Sequence, residues 1–215
     1  MRIVKIAFLS VMTLMLLSSI FCESYTAEEH LERGIALTKE GLLTEAAKEF
    51  EKAAKKKTDY VHAYYNWGMA LSELGRFEEA IEKYEEALRI DPKFARAYFN
   101  WGLALGKLGR FEEEAEKYEK GLSIDPNYPD AYINWGAALG KSGKYEEAVE
   151  KLEQAVSMNP NDVGAYGNLG FALVALGKKK EAEEAFSKAL ELFKSQGKDE
   201  DAKKVEELLQ GLEEK

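Results

Sequence analysis

The sequence predicts an all-α fold built as a solenoid of stacked helix pairs, and three observations carry that expectation. The strings YNWGMALSELGRFEEAIEKYEEALRIDP, FNWGLALGKLGRFEEEAEKYEKGLSIDP and INWGAALGKSGKYEEAVEKLEQAVSMNP begin at Tyr65, Phe99 and Ile133, 34 residues apart. Glycine returns at one phase of that period, as Gly41, Gly75, Gly109, Gly143 and Gly177. Apolar residues between these markers fall at helical spacing, as in Ala80, Tyr84, Ala87 and Leu88. Extended in both directions, the period gives five units, starting at Ala27, Val61, Ala95, Pro129 and Val163. No such unit can bury its apolar stripe alone, so neighbours must cover it.

Residues 1–24 are of a different character. Arg2 and Lys5 precede an uncharged, mostly aliphatic run from Ile6 to Phe21, and Glu23 ends it. A basic start, a short apolar run and a polar exit read as a secretory signal. The alternative is an uncleaved membrane anchor, for which the run of 16 residues is slightly short. Either way the basic flank orients the repeats outward. Cys22 stands where a bacterial lipoprotein signal would place its lipidated cysteine, but Phe21 occupies the position such signals give to a small residue.

Within each unit two helices are expected. The first carries Tyr64, Trp67, Gly68 and Leu71 at helical spacing and stops at Gly75, where a left-handed residue is needed that glycine adopts cheaply. The second opens on Glu78 and Glu79, which suit the positive end of the dipole, and ends at Ile90-Asp91-Pro92, where proline cannot continue it. A second glycine series, Gly34, Gly68, Gly102, Gly136 and Gly170, lies inside the first helices. Glycine there costs about 1 kcal/mol relative to alanine, so the series implies a close helix approach, with Ala46, Ala80, Ala148 and Ala182 as the small residues opposite. Asp199 to Leu212 reads as a capping helix, with Ala202, Val205, Leu208, Leu209 and Leu212 on one stripe and Lys203, Lys204, Glu206 and Glu207 on a polar outer face. A dimerisation helix is its other reading.

Composition narrows the function. The 215-residue chain has a formal net charge of −9, and one cysteine cannot form an internal disulfide. An acidic chain does not release counterions from a phosphate backbone, so a nucleic-acid partner is not expected. The basic run Lys55-Lys56-Lys57 falls in the last turn of a helix, where cations complement the dipole. His30 and His62, the only histidines, lie in different units without an acid–nucleophile pattern, and no phosphate loop or metal-ligand spacing occurs. The expectation is a protein that is no enzyme and holds neither cofactor nor metal.

The five units resemble the tetratricopeptide repeat, and the likeness covers residues 27 to about 193 without insertion. On that resemblance the repeats run 27–60, 61–94, 95–128, 129–162 and 163–196, with 199–215 as the cap. It implies antiparallel helix pairs wound into a right-handed superhelix with concave and convex faces. The departures are specific. Trp67, Trp101 and Trp135 stand where the family more often has leucine; Glu114 takes the place of Ala80 and Ala148; Gly121 replaces an alanine; the first unit lacks the closing proline. A carboxylate at Glu114 is expensive to bury, so a shifted helix or an outward-turned Glu114 is expected.

The resemblance also implies that the first helices line the concave groove. Mapped by position, that face carries Tyr65, Phe99 and Ile133, then Met69, Leu103 and Ala137 one turn on. Beside them lies an amide row of Asn66, Asn100, Asn134 and Asn168, broken in the first unit by Glu32. Each amide offers donors and an acceptor to the backbone of an extended peptide. The row is similar to the asparagine ladder of the O-linked N-acetylglucosamine transferase repeats; its alternative role is packing between units. Tyr64, Tyr98 and Tyr132 are expected in the core. The family's carboxylate clamp needs lysine where Leu31, Tyr65 and Phe99 stand, leaving Arg96 as the one residue placed to hold a carboxylate. The reading is an exported adaptor, monomeric or weakly self-associating, that grips a protein or peptide segment during envelope assembly. Two other readings are a self-assembling spacer that uses its helical ends and an accessory subunit of an enzyme complex.

Overall fold

Glycine turns and neighbour packing set the architecture. The computed structural model describes residues 25–213, so the expectations for the N-terminal run and for Cys22 lie outside the described residues. Eleven helices and no strand are found among those residues. They are α1 Ala27–Lys39, α2 Leu43–Lys56, α3 Val61–Glu73, α4 Phe77–Ile90, α5 Ala95–Lys107, α6 Phe111–Ile124, α7 Pro129–Lys141, α8 Tyr145–Met158, α9 Val163–Ala175, α10 Lys179–Ser195 and α11 Asp199–Glu213. Gly41, Gly75, Gly109, Gly143 and Gly177 each sit at φ between 71° and 83°, in the left-handed region that reverses the chain between the helices of a pair. Thr26 closes the start of α1 with a capping box to Glu29, and Asp162 caps α9 by accepting from Ala165 N–H at 2.8 Å.

The mid-helix glycines do something other than face small residues. A Cβ on Gly34, Gly68, Gly136 or Gly170 would lie between 2.4 and 2.6 Å from Phe50, Tyr84, Leu152 or Phe186 respectively. In each unit the glycine is a socket for the largest core side chain of the second helix, 16 positions on. Ala46, Ala80, Ala148 and Ala182 are buried in the same core but are not what the glycines receive. Tyr64, Tyr98 and Tyr132 are half-buried and pack against that core.

Unit three solves its two departures by exchange of volume. Glu114 does not turn outward: it is only 6% exposed. Its carboxyl lies over Gly106, where an added Cβ would fall 2.5 Å from Oε2. Gly121 leaves a second void, and Phe99 fills it, within 2.3 Å of where a Cβ would stand. The α6 helix therefore keeps the length of α4, from Phe111 to Ile124.

The last pair runs on. α10 extends to Ser195, Gly197 turns the chain at φ 67°, and α11 packs back on α10. Ala202 and Val205 are buried, and Leu209 and Leu212 pack against the core. Leu208 departs from the expected stripe: it is 38% exposed, because its position on the helix falls beyond the edge of the contact. Lys194 and Glu206 pair at 2.7 Å across the joint.

Candidate partner-binding groove

Curvature follows from which helices touch. The first helices α1, α3, α5, α7 and α9 contact one another from unit to unit, whereas no two second helices α2, α4, α6, α8 and α10 meet. The first helices therefore lie on the inside of the bend. On that inner face one repeat position is apolar in every unit: Ile35, Met69, Leu103, Ala137 and Phe171. Ile35 is 36%, Leu103 43% and Phe171 55% exposed. A row of large apolar side chains left in water at one phase is a candidate docking surface.

Two clefts open along this row. The first, of about 240 Å³, lies between α3 and α5 and is lined by Met69, Phe77, Leu103 and Asn100, with Glu73 and Lys107 at its rim. The second, of about 200 Å³, lies between α7 and α9, lined by Ala137, Tyr145, Asn168 and Phe171 with Lys141 beside it. They are the same site displaced by two units: Met69 corresponds to Ala137, Phe77 to Tyr145, Asn100 to Asn168 and Leu103 to Phe171. A third, more polar cleft of about 260 Å³ is formed by Tyr65, Arg96, Phe99, Asn100 and Tyr128.

The expected groove residues are not equivalent. Asn66 donates to the His62 carbonyl of its own helix at 2.7 Å. Asn100 donates to the Tyr65 hydroxyl of the preceding unit at 2.8 Å. The side chains of Asn134 and Asn168 make no hydrogen bond among the described residues and are half-buried. Tyr65 stacks edge-on to Phe94 at 4.9 Å; burial raises its hydroxyl pKa, partly offset by Arg96 and by Asn100, so it stays protonated at neutral pH. Phe99 contributes to the groove only as a wall of the polar cleft: it is 5% exposed, drawn inward by the void at Gly121 and stacked on Tyr128 at 4.8 Å. Ile133 is half-buried against the core, and Arg96 is exposed.

Sequence reasoning stopped the apolar row at Ala137, although the same register reaches Phe171. It also missed a pairing written in that register. Trp67, Trp101 and Trp135 each carry a lysine over the ring, Lys83, Lys117 and Lys151, at 4.8, 3.7 and 4.6 Å. The same two positions hold Arg33 and Glu49 in unit one, 3.6 Å apart, and the buried pair Leu169 and Ala185 in unit five. The second helix thus clasps the first with a pair matched unit by unit. His30 is likewise absorbed: it is buried with its Nδ1 2.6 Å from Glu49, which also meets Lys52 at 2.7 Å. No cluster of metal-binding side chains, and no helix long and apolar enough to cross a membrane, occurs among the described residues.

Comparison with known proteins agrees with this geometry. A family model described as TPR repeat matches residues 68–109 and 105–143, and a second, Tetratricopeptide repeat, matches 140–205. The chain is a tetratricopeptide-repeat protein. Among solved structures, MamA from Desulfovibrio magneticus RS-1 is 25% identical with a TM-score of 0.75, over 79% of this chain and 96% of that one. Another MamA crystal structure is 25% identical with a TM-score of 0.73, over 77% and 96%. YrrB, described as a TPR protein with an unusual peptide-binding site, is 20% identical with a TM-score of 0.70 over 82% and 91%, a likeness of fold alone. No curated protein matches. The tetratricopeptide-repeat fold is that of a protein–protein interaction scaffold, here a right-handed solenoid.

Proposed function

We propose that this protein is a non-catalytic adaptor that holds an extended segment of a partner protein along its concave face. The observation that carries the reading is the apolar row on the inside of the bend, with Ile35, Leu103 and Phe171 exposed and Met69 half-buried between them, together with the unengaged amides of Asn134 and Asn168. Covering such side chains contributes about 25 cal/mol per Å² of apolar surface removed from water. The amides of Asn134 and Asn168 supply the backbone pairing that an extended segment needs. The basic, apolar and then charged character of residues 1–24 supports export, and with it work in an envelope complex, with the N-terminal run as an address or an anchor. Site-specific photocrosslinkers test the reading. Placed at Leu103 and Phe171, they should capture one partner from envelope extract, and placed at the outer Glu82 and Glu153 they should not. Equal capture from both faces, or capture from the outer face alone, would place binding elsewhere.

A further inference from the structure

Of the arginines among the described residues, Arg33, Arg76, Arg89 and Arg110 each lie within 3.6 Å of a glutamate or closer. Arg96 pairs with no carboxylate there, in a chain of net charge −9. Its place is also unfavourable: it sits in the first turn of α5, where the helix dipole is positive and where the turn holds no acidic residue. The local fold thus leaves a guanidinium without an ion-pair partner, on the inner face and at the mouth of the polar cleft.

That cleft supplies further donors. The Tyr65 hydroxyl accepts from Asn100, which leaves its own proton free to donate. Tyr128 stands across from it on the next unit, held in place by stacking on Phe99. Asn100 is shared with the apolar cleft of Met69, Phe77 and Leu103. The two clefts are therefore adjoining halves of one surface. In the apolar half the lining charges, Glu73 and Lys107, sum to zero, so Arg96 is the net charge of the combined lining.

Resting on the groove reading above, we infer that the partner segment places an internal aspartate or glutamate against Arg96 and a bulky apolar side chain, a residue or two away, between Met69, Phe77 and Leu103. The acidic group lies within the segment and not at its end. The inner face continues past Arg96 in both directions, and the equivalent apolar cleft at Phe171 lies two units further on.

The test is selection from a library of randomised dodecapeptides, acetylated and amidated, on the full chain and on Arg96→Ala and Leu103→Ser, each checked for folding by circular dichroism. The expected result is enrichment of Asp or Glu within two positions of Phe, Leu or Trp. Arg96→Ala should lose the acidic preference and weaken a selected peptide on the order of tenfold, while Leu103→Ser loses the apolar preference. Acidic enrichment that survives Arg96→Ala, or apolar enrichment without acid, would overturn this inference and leave the groove reading standing. Enrichment only from a parallel library with free C-terminal carboxylates would overturn it in favour of an end-binding site. No enrichment at all would overturn both.

Discussion

Units two and three share their period, their helix lengths and most of their sequence, yet their interiors are solved differently. In unit two Tyr84 is seated tightly, 2.5 Å from where a Cβ on Gly68 would stand, and its hydroxyl meets Ser72 at 3.1 Å. In unit three the equivalent Tyr118 sits looser over Gly102, at 3.1 Å, and its hydroxyl is buried without a partner. The hydroxyl of Ser72 has given way to Gly106, and the space goes to Glu114, whose Oε2 is also buried and unpaired. Burial pushes the Glu114 carboxyl up to about 7, with the charge of Lys141 and the neighbouring Tyr118 hydroxyl opposing. Repeat phase therefore does not fix what a side chain does; the volume of its neighbours does. Phe99 shows the same rule, being core where Tyr65 is half exposed to the groove, because Gly121 stands where unit two has Ala87.

This contrast can be broken at its tightest point first. Gly68→Ala should destabilise by about 1–3 kcal/mol through overpacking against Tyr84, and Gly102→Ala by clearly less, since the gap is wider and the gain in helix propensity is about 1 kcal/mol. Thermal melts of the two variants decide it; equal losses would mean the sockets are alike. The double change Gly106→Ser with Glu114→Ala transplants the arrangement of unit two. It should raise stability by about 2 kcal/mol at pH 8, by removing a buried carboxylate and giving Tyr118 a partner, and a double variant below wild type would contradict the exchange of volume.

Smaller effects follow from charge and backbone. The folded pKa of Glu114 lies above its ordinary 4.5, so the folded protein holds that proton more tightly and the ionised form costs stability. That cost is absent below pH 4.5, grows through the window up to about 7 and is complete above it. Glu114→Gln should therefore raise the melting temperature by about 2–5 °C at pH 8 and leave it unchanged at pH 4.5; a pH-independent gain would remove the carboxyl as its cause. Gly140, in α7, would meet nothing within 4 Å of an added Cβ. Gly140→Ala should stabilise by about 0.5–1 kcal/mol, read by denaturant midpoint.

The fold was legible because its signals repeat: five left-handed glycines at one phase are hard to read otherwise. The purpose of the second glycine series was not, since a small residue in sequence announces space without saying which side chain enters it. Glu114 and Phe99 were misread for one physical reason. Each was judged against its own repeat position, while the deciding residues, Gly106 and Gly121, lie on the facing helix. The groove's apolar row was legible from the register and could have been carried on to Phe171. The uneven use of the amides, with Asn66 and Asn100 engaged within the protein and Asn134 and Asn168 unengaged, depends on rotamers and neighbours that spacing does not encode.

That unevenness gives the most direct test of partner binding on the concave face. Titration calorimetry of the partner captured at Leu103 would compare wild type with the double variant Asn134→Ala, Asn168→Ala. If the amides face the partner, the melting temperature stays within a degree or so of wild type, because these side chains bond nothing in the free protein, and the affinity weakens by on the order of tenfold for two lost hydrogen bonds. Unchanged affinity would contradict that placement and return the amide row to a packing role.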